Sequence, residues 1–211
     1  MKSSKTLFWL SILVALLAAT YAGVGLFSRG GEGSFTFTTL HGEEVEMYGK
    51  EIYRNDSAFK APILRGTDAV TLFVCVPVLV AAGLFYRRDS LRGRVFLTGV
   101  LAYFLYNSAS LGLSAAYNNL LLVYITCTSA SLFAFVMAFR SIDLADLAGR
   151  TSKKIPRCGI AIFLFLAGMS LVVWLVDIIG GLVQGSVPAN LGPYTTEATY
   201  TLDLGVLLPS I

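Results

Sequence analysis

Three aspartates stand where an apolar sequence would not carry them without a reason. Asp177 falls five residues inside the end of the apolar run 158–182, Asp68 opens the run 68–86 after Arg65-Gly66-Thr67, and Asp203 begins the short run 199–211. An ionisable side chain within a membrane segment is expensive and is retained for a partner or a task. In the run 95–115, Tyr103, Asn107, Ser110 and Ser114 follow at spacings of four, three and four, so a helix sets them on one face, with Tyr106 nearby. A carboxylate among phenols and an amide has the chemistry to hold a small ligand or ion. Asp177 would be its charged or protonatable centre, Asn107, Tyr103 and Tyr106 its lining, and Asp68 and Asp203 its mouth. Pro77 adds an acceptor, since a proline there leaves the carbonyl of Phe73 without its helical donor. The competing structural reading makes Asp68 or Thr67 a helix N-cap, sets Asp203 at headgroup level and treats Tyr106 and Trp174 as packing. It bridges Asp177 to Asn107 or to a tyrosine.

Catalysis has less to build on. G-x-x-x-x-G-K-[ST], H-E-x-x-H and G-x-S-x-G are all missing, and the single histidine, His41, leaves most triads and metal sites without a member. Gly23-Val24-Gly25 resembles a piece of a nucleotide loop but lies inside an apolar run, so it carries no such meaning. Cys75, Cys127 and Cys158 are far apart in sequence and read as small apolar fillers, although Cys75 and Cys127 fall at similar depths in their runs. No catalytic residue, metal site or cofactor is expected.

The elements that would position these groups are membrane helices. Of 211 residues, 55% are hydrophobic and 14% charged, with a mean hydropathy of +0.71. Soluble domains carry about 25% charged residues, so lipid must solvate much of this chain. A crossing takes about 20 apolar residues, and the runs 7–27, 68–86, 95–115, 120–139 and 158–182 supply five. The stretch 7–27 is long for a signal peptide, although Thr20-Tyr21-Ala22 would pass as a cleavage site. The run 199–211 is too short to cross and is expected to be the beginning of a sixth span in a longer chain. The third and fourth spans, joined through Tyr117-Asn118-Asn119, must be antiparallel neighbours. Small residues at every fourth position (Ser108, Gly112 and Ala116; Thr126, Ala130, Ala134 and Ala138) would let their backbones approach. The expected architecture is an all-α transmembrane bundle of five spans plus a partial sixth, with a small β-hairpin outside the membrane. Its divisions are 1–27, a loop over 28–67, and the remaining bundle over 68–211.

Basic residues orient it. Lys2 and Lys5 precede the first span, Arg87, Arg88, Arg92 and Arg94 follow the second, and Arg140, Arg150, Lys153, Lys154 and Arg157 follow the fourth. The positive-inside rule then places the N-terminus in the cytoplasm of a cell (inner) membrane and the loop 28–67 outside. The net charge of +3 is small and segregated, and suggests no nucleic acid. Within the loop, Gly30-Gly31-Glu32-Gly33-Ser34 reads as a flexible lead-in and 35–48 as a hairpin. A three-residue turn with Gly42 at positive φ would pair Thr39 with Val45 and Phe37 with Met47. Asn55-Asp56-Ser57 has the form of a glycosylation sequon. Ser141 to Leu147 would form a short amphipathic turn or a solvated linker, and no internal repeat is visible.

The segment Gly42–Asp68, with Tyr48-Gly49, Ile52-Tyr53, Asp56 and Arg65-Gly66-Thr67-Asp68, followed by Tyr103-Phe104-Leu105-Tyr106-Asn107 and Ala116-Tyr117-Asn118, resembles a family of uncharacterised prokaryotic multi-span membrane proteins. The resemblance covers most of the chain after residue 40 and implies a longer protein, but no activity is attached to that family. Two functions follow as expectations: an outward-facing site that binds or transports a small ligand or ion, or a structural subunit whose hairpin docks a membrane-protein partner. An intramembrane enzyme would need a nucleophile or metal that the chain does not offer.

Overall fold

The computed structural model describes residues 4–150, 156–194 and 197–211. Lys2, Lys153 and Lys154 of the charge argument lie outside them. The chain divides into two compact units, one comprising Met1–Ser34 with Tyr48–Arg150, the other Phe35–Met47 with Thr151–Ile211.

Four long helices build the first unit: α1 (Lys5–Phe27), α2 (Lys60–Arg87), α3 (Leu91–Ser114) and α4 (Leu121–Arg140), followed by the short α5 (Leu144–Arg150). The four are long and apolar enough to cross a membrane. Each packs on two neighbours in a closed ring, α1 on α2, α2 on α3, α3 on α4 and α4 on α1. Helix α1 is apolar on every side, yet its buried side is one stripe, Leu7, Ser11, Val14, Ala18, Tyr21 and Gly25, flanked by Ala15 and Ala22. Their alternating steps of four and three make a packing seam, while Trp9, Leu13 and Leu16 face outward, as a lipid-facing side would. The α3–α4 seam uses Ser108, Ala130, Ala134 and Ala138 as expected. Thr126 is exposed, however, and Cys127 and Ser131 lie buried instead. All three cysteines are free.

Helix α2 begins at Lys60, eight residues before the expected start at Asp68. Ser57 Oγ accepts from Lys60 N at 3.1 Å, its carbonyl from Ala61 N at 3.0 Å, and Pro62 falls in the first turn, where it costs no helical hydrogen bond. Neither Asp68 nor Thr67 is therefore an N-cap. Thr67 Oγ1 bonds back to the carbonyl of Ile63, and Asp68 lies about two turns into the helix. Ahead of Pro77 the helix widens into a π turn over Thr71–Cys75, closed by Val76 N on the carbonyl of Thr71. Arg94, counted above as an inward charge, is buried at the turn between α2 and α3. It pairs with Asp89 and donates to the carbonyl of Ser141 at 2.7 Å.

The lead-in to the hairpin is a tight crossing rather than a loose tether. Gly33 N bonds to the carbonyl of Gly49, Glu51 N to that of Gly30, and a Cβ on Gly49 would fall 1.6 Å from the carbonyl oxygen of Gly33. Asp56, fully buried, accepts from Ala116 N at 2.9 Å, which ties the long loop to the α3–α4 link.

The second unit contains the hairpin β1 (Phe35–Thr38) and β2 (Glu44–Met47), the helix α6 (Arg157–Gln184), and α7 over 198–210. α6 is the fifth helix long and apolar enough to cross. The hairpin turn has three residues and Gly42 at φ +83°, as expected, but the register differs: Phe35 pairs with Met47 and Phe37 with Val45. Thr39 decides this. Its Oγ1 accepts from both His41 N and Glu43 N, closing the turn one residue earlier around Leu40-His41-Gly42. The apolar side chains still share one face.

Candidate functional site

Asp68 is the centre of the first unit. The carboxylate is fully buried, its Oδ2 accepts the Tyr53 hydroxyl at 2.7 Å, and its Oδ1 has no hydrogen-bond partner. A buried carboxylate normally has its oxygens satisfied, and leaving one bare costs several kilocalories per mole, about 1–3 for a neutral group and more for a charge. Room for the side chain comes from α1: a Cβ on Gly25 would fall 1.9 Å from Asp68 Oδ2 and 3.1 Å from the Tyr53 hydroxyl. The glycine that looked meaningless inside an apolar run is the wall of this site.

Tyr53 of the long loop touches the carboxylate, and Tyr21 of α1, Tyr103 of α3 and Tyr124 of α4 lie farther off, within electrostatic reach. Burial, then the neighbouring Asp68 charge, push the Tyr53 phenol far above its ordinary range, so it stays a neutral donor. Tyr124 is equally buried and stacks edge-on against Tyr21 at 5.5 Å, while its hydroxyl makes no hydrogen bond of normal geometry. Asn107 Nδ2 donates to Tyr21 at 2.9 Å and to Thr71 Oγ1 at 3.4 Å, and Thr71 in turn bonds Tyr103 at 3.2 Å. Thr71 heads the π turn, so the widened backbone presents a side chain that links α2 to α3.

Arg65, one turn before Asp68, turns its guanidinium elsewhere. It donates to the Tyr48 hydroxyl and the carbonyl of Leu26 and pairs with Glu51 at 3.0 Å. Its charge therefore serves Glu51 in direct contact and Asp68 only at longer range.

Of the residues expected to form a site, Asn107 and Tyr103 are connected through Thr71, and Asp68 lies one turn before Thr71 on the same helix, bonded instead to Tyr53. Tyr106 lies half-buried on α3. Asp177 and Asp203 belong to the second unit, where they form a cluster of their own. Asp177 Oδ2 accepts from the Tyr200 hydroxyl at 2.7 Å and from Asn190 N at 3.3 Å, and Trp174 Nε1 donates to Asp203 Oδ2 at 2.8 Å. The rings of Trp174 and Tyr200 lie 5.5 Å apart. Sequence reasoning passed over Tyr21, Gly25, Tyr53, Thr71 and Tyr124. The available signal was the α1 stripe, whose three–four spacing runs through Tyr21 to Gly25. No family model, curated protein or solved structure matches the chain, so the resemblance seen in Gly42–Asp68 gains no support from such comparisons.

Proposed function

We propose that this chain is a multi-pass membrane protein whose first unit binds a monovalent cation, a proton or sodium, at Asp68. The observation that carries the reading is the buried Oδ1 of Asp68, which has no hydrogen-bond partner. Neutral phenols and an amide surround it, which suits a single positive charge better than a divalent ion. The basic links after the second and fourth spans support an N-terminus in the cytoplasm and a long loop outside. In that orientation Tyr53, carried by the loop, covers the carboxylate from the outer side. Loop movement would then open Asp68 to the exterior, as an outward-facing transport or sensing site requires.

Thermal melts of the purified protein test this in sodium against choline, and at two pH values about two units apart. Sodium or acid should raise the wild-type melting temperature saturably. Asp68→Asn should remove that response and raise the baseline, since functional charges are often kept at a cost in stability. Equal responses of wild type and variant would end the proposal.

A second reading, a subunit that docks a partner, draws on the hairpin, which exposes Phe35, Phe37 and Leu40. Exposed apolar groups of this kind mark interaction sites. Deleting 36–46 should then lose a co-purifying membrane protein while the first unit melts unchanged. Retention of every co-purifying protein would sink it.

A further inference from the structure

Helices α2 and α3 leave a groove between them, open along one side. Val74 and Val78 of α2 and Phe96, Gly99, Val100 and Tyr103 of α3 line it, and its volume is about 420 Å³, within the range of small-molecule sites. Gly99 keeps it empty, since a Cβ there would meet nothing within 4 Å. One end is closed where the Tyr103 hydroxyl bonds Thr71 Oγ1 at 3.2 Å and bridges the two helices.

Toward the other end both walls run into arginines. On α2 the stripe Val74, Val78, Ala81, Phe85 and Arg88 advances by four, three, four and three residues, and on α3 the stripe Arg92, Phe96, Gly99 and Tyr103 by four, three and four. The rings of Phe85 and Phe96 meet edge-on at 6.5 Å, and the Arg88 guanidinium lies 5.3 Å from the centre of the Phe85 ring. Arg88 and Arg92 are both exposed. Asp89, the carboxylate between them, pairs with the buried Arg94 instead. A cationic mouth thus leads over an aromatic ledge into an apolar trough.

The length of the trough decides what fits. Arg92 to Tyr103 is eleven residues, about 16 Å of helix and close to half of a hydrocarbon core of about 30 Å. A partner's transmembrane helix needs a seam of the full thickness, whereas an acyl chain occupies one leaflet. Lipid tails are as apolar as the groove, so packing seats the chain and the charged head selects the lipid. We propose that the groove holds one acyl chain of an anionic phospholipid, its phosphate held by Arg88 and Arg92. In the orientation given above, that lipid belongs to the cytoplasmic leaflet. The proposal takes from the preceding reading only that these helices cross a membrane, and nothing from the cation at Asp68.

The test titrates purified protein in neutral detergent with dioleoylphosphatidylglycerol or dioleoylphosphatidylcholine and counts bound lipid by native mass spectrometry. Wild type should hold one phosphatidylglycerol about tenfold more tightly than phosphatidylcholine, and Arg88→Gln with Arg92→Gln should remove that tenfold preference. Arg87→Gln is the control, because its guanidinium turns to the Phe8 ring of α1 at 5.0 Å, and it should leave the preference in place. Gly99→Leu fills the groove and should abolish lipid binding, while its lipid-free melting temperature stays at or above that of wild type. Should Gly99→Leu fail to fold, Val74→Trp blocks the same space from the opposite wall, where Val74 is exposed. Equal phosphatidylglycerol binding by wild type and the blocked variant overturns the proposal, and so does equal wild-type affinity for the two lipids. A wild-type dimer that Gly99→Leu converts to monomer makes a second copy the occupant and overturns it as well. Asp68→Asn should bind the lipid as wild type does, so loss of the cation reading leaves this result standing. Release of the chain from membranes by alkaline carbonate would instead end the membrane reading and the lipid site together.

Discussion

Gly25→Ala should destabilise the first unit by about 3 kcal/mol, the upper part of the usual range for forcing atoms into a packed interior. The new methyl would fall 1.9 Å from Asp68 Oδ2 and 2.7 Å from its Cγ, so the carboxylate must leave its place or the helices must part. Neither is cheap, because the same carboxylate oxygen holds Tyr53 at 2.7 Å and thereby the long loop. The control is two residues away: a Cβ on Gly23 meets nothing within 4 Å. Gly23→Ala should be neutral or slightly stabilising, by up to about 1 kcal/mol from helix propensity. Thermal or denaturant melts in detergent compare the two directly. Adding Asp68→Ala to Gly25→Ala should recover most of the loss, since the colliding atoms are gone. A cost equal at Gly23 and Gly25, or no recovery in the double variant, would show that Asp68 is not packed against α1.

Tyr53→Phe carries the second large effect, a loss of about 2–3 kcal/mol for a hydrogen bond to a buried charged acceptor. It removes the one hydrogen bond that the structure shows on Asp68 and leaves both carboxylate oxygens bare in a buried place. In the Asp68→Asn background the same change should cost less than about 1 kcal/mol, because the amide bears no charge and can donate for itself. The difference between the two costs is the coupling of the pair, obtained from four melting curves. Equal costs in both backgrounds would mean that Tyr53 contributes packing alone, and the loop would lose its hold on the site.

Much of the architecture is legible in residue order because it depends on local periods. Apolar runs of about 20 residues mark helices that can cross a membrane, and alternation around a glycine marks a hairpin. These features need only near neighbours. The hairpin register was misread because a hydroxyl, Thr39 Oγ1, outweighed the side-chain pattern. The start of α2 was misread because hydropathy marks where the apolar stretch begins, whereas Ser57 and Pro62 set where the helix begins.

The site was only half legible. Composition singled out Asp68, Asn107 and Tyr103 as polar groups in apolar surroundings, and it singled out Asp177 and Asp203 for the same reason. What it could not show is which of them meet. Tyr53 reaches Asp68 from 15 residues away, and Asn107 reaches Tyr21 from 86 away. Gly25 matters only through what approaches it, and a residue without a side chain leaves no chemical signature of its own. Sequence by itself determined the number and character of the long helices, since length and apolar composition are properties of each segment. Tertiary structure alone decided that a bare carboxylate oxygen, four phenols and one glycine share a place, since that depends on contacts between segments whose separation along the chain carries no information about distance.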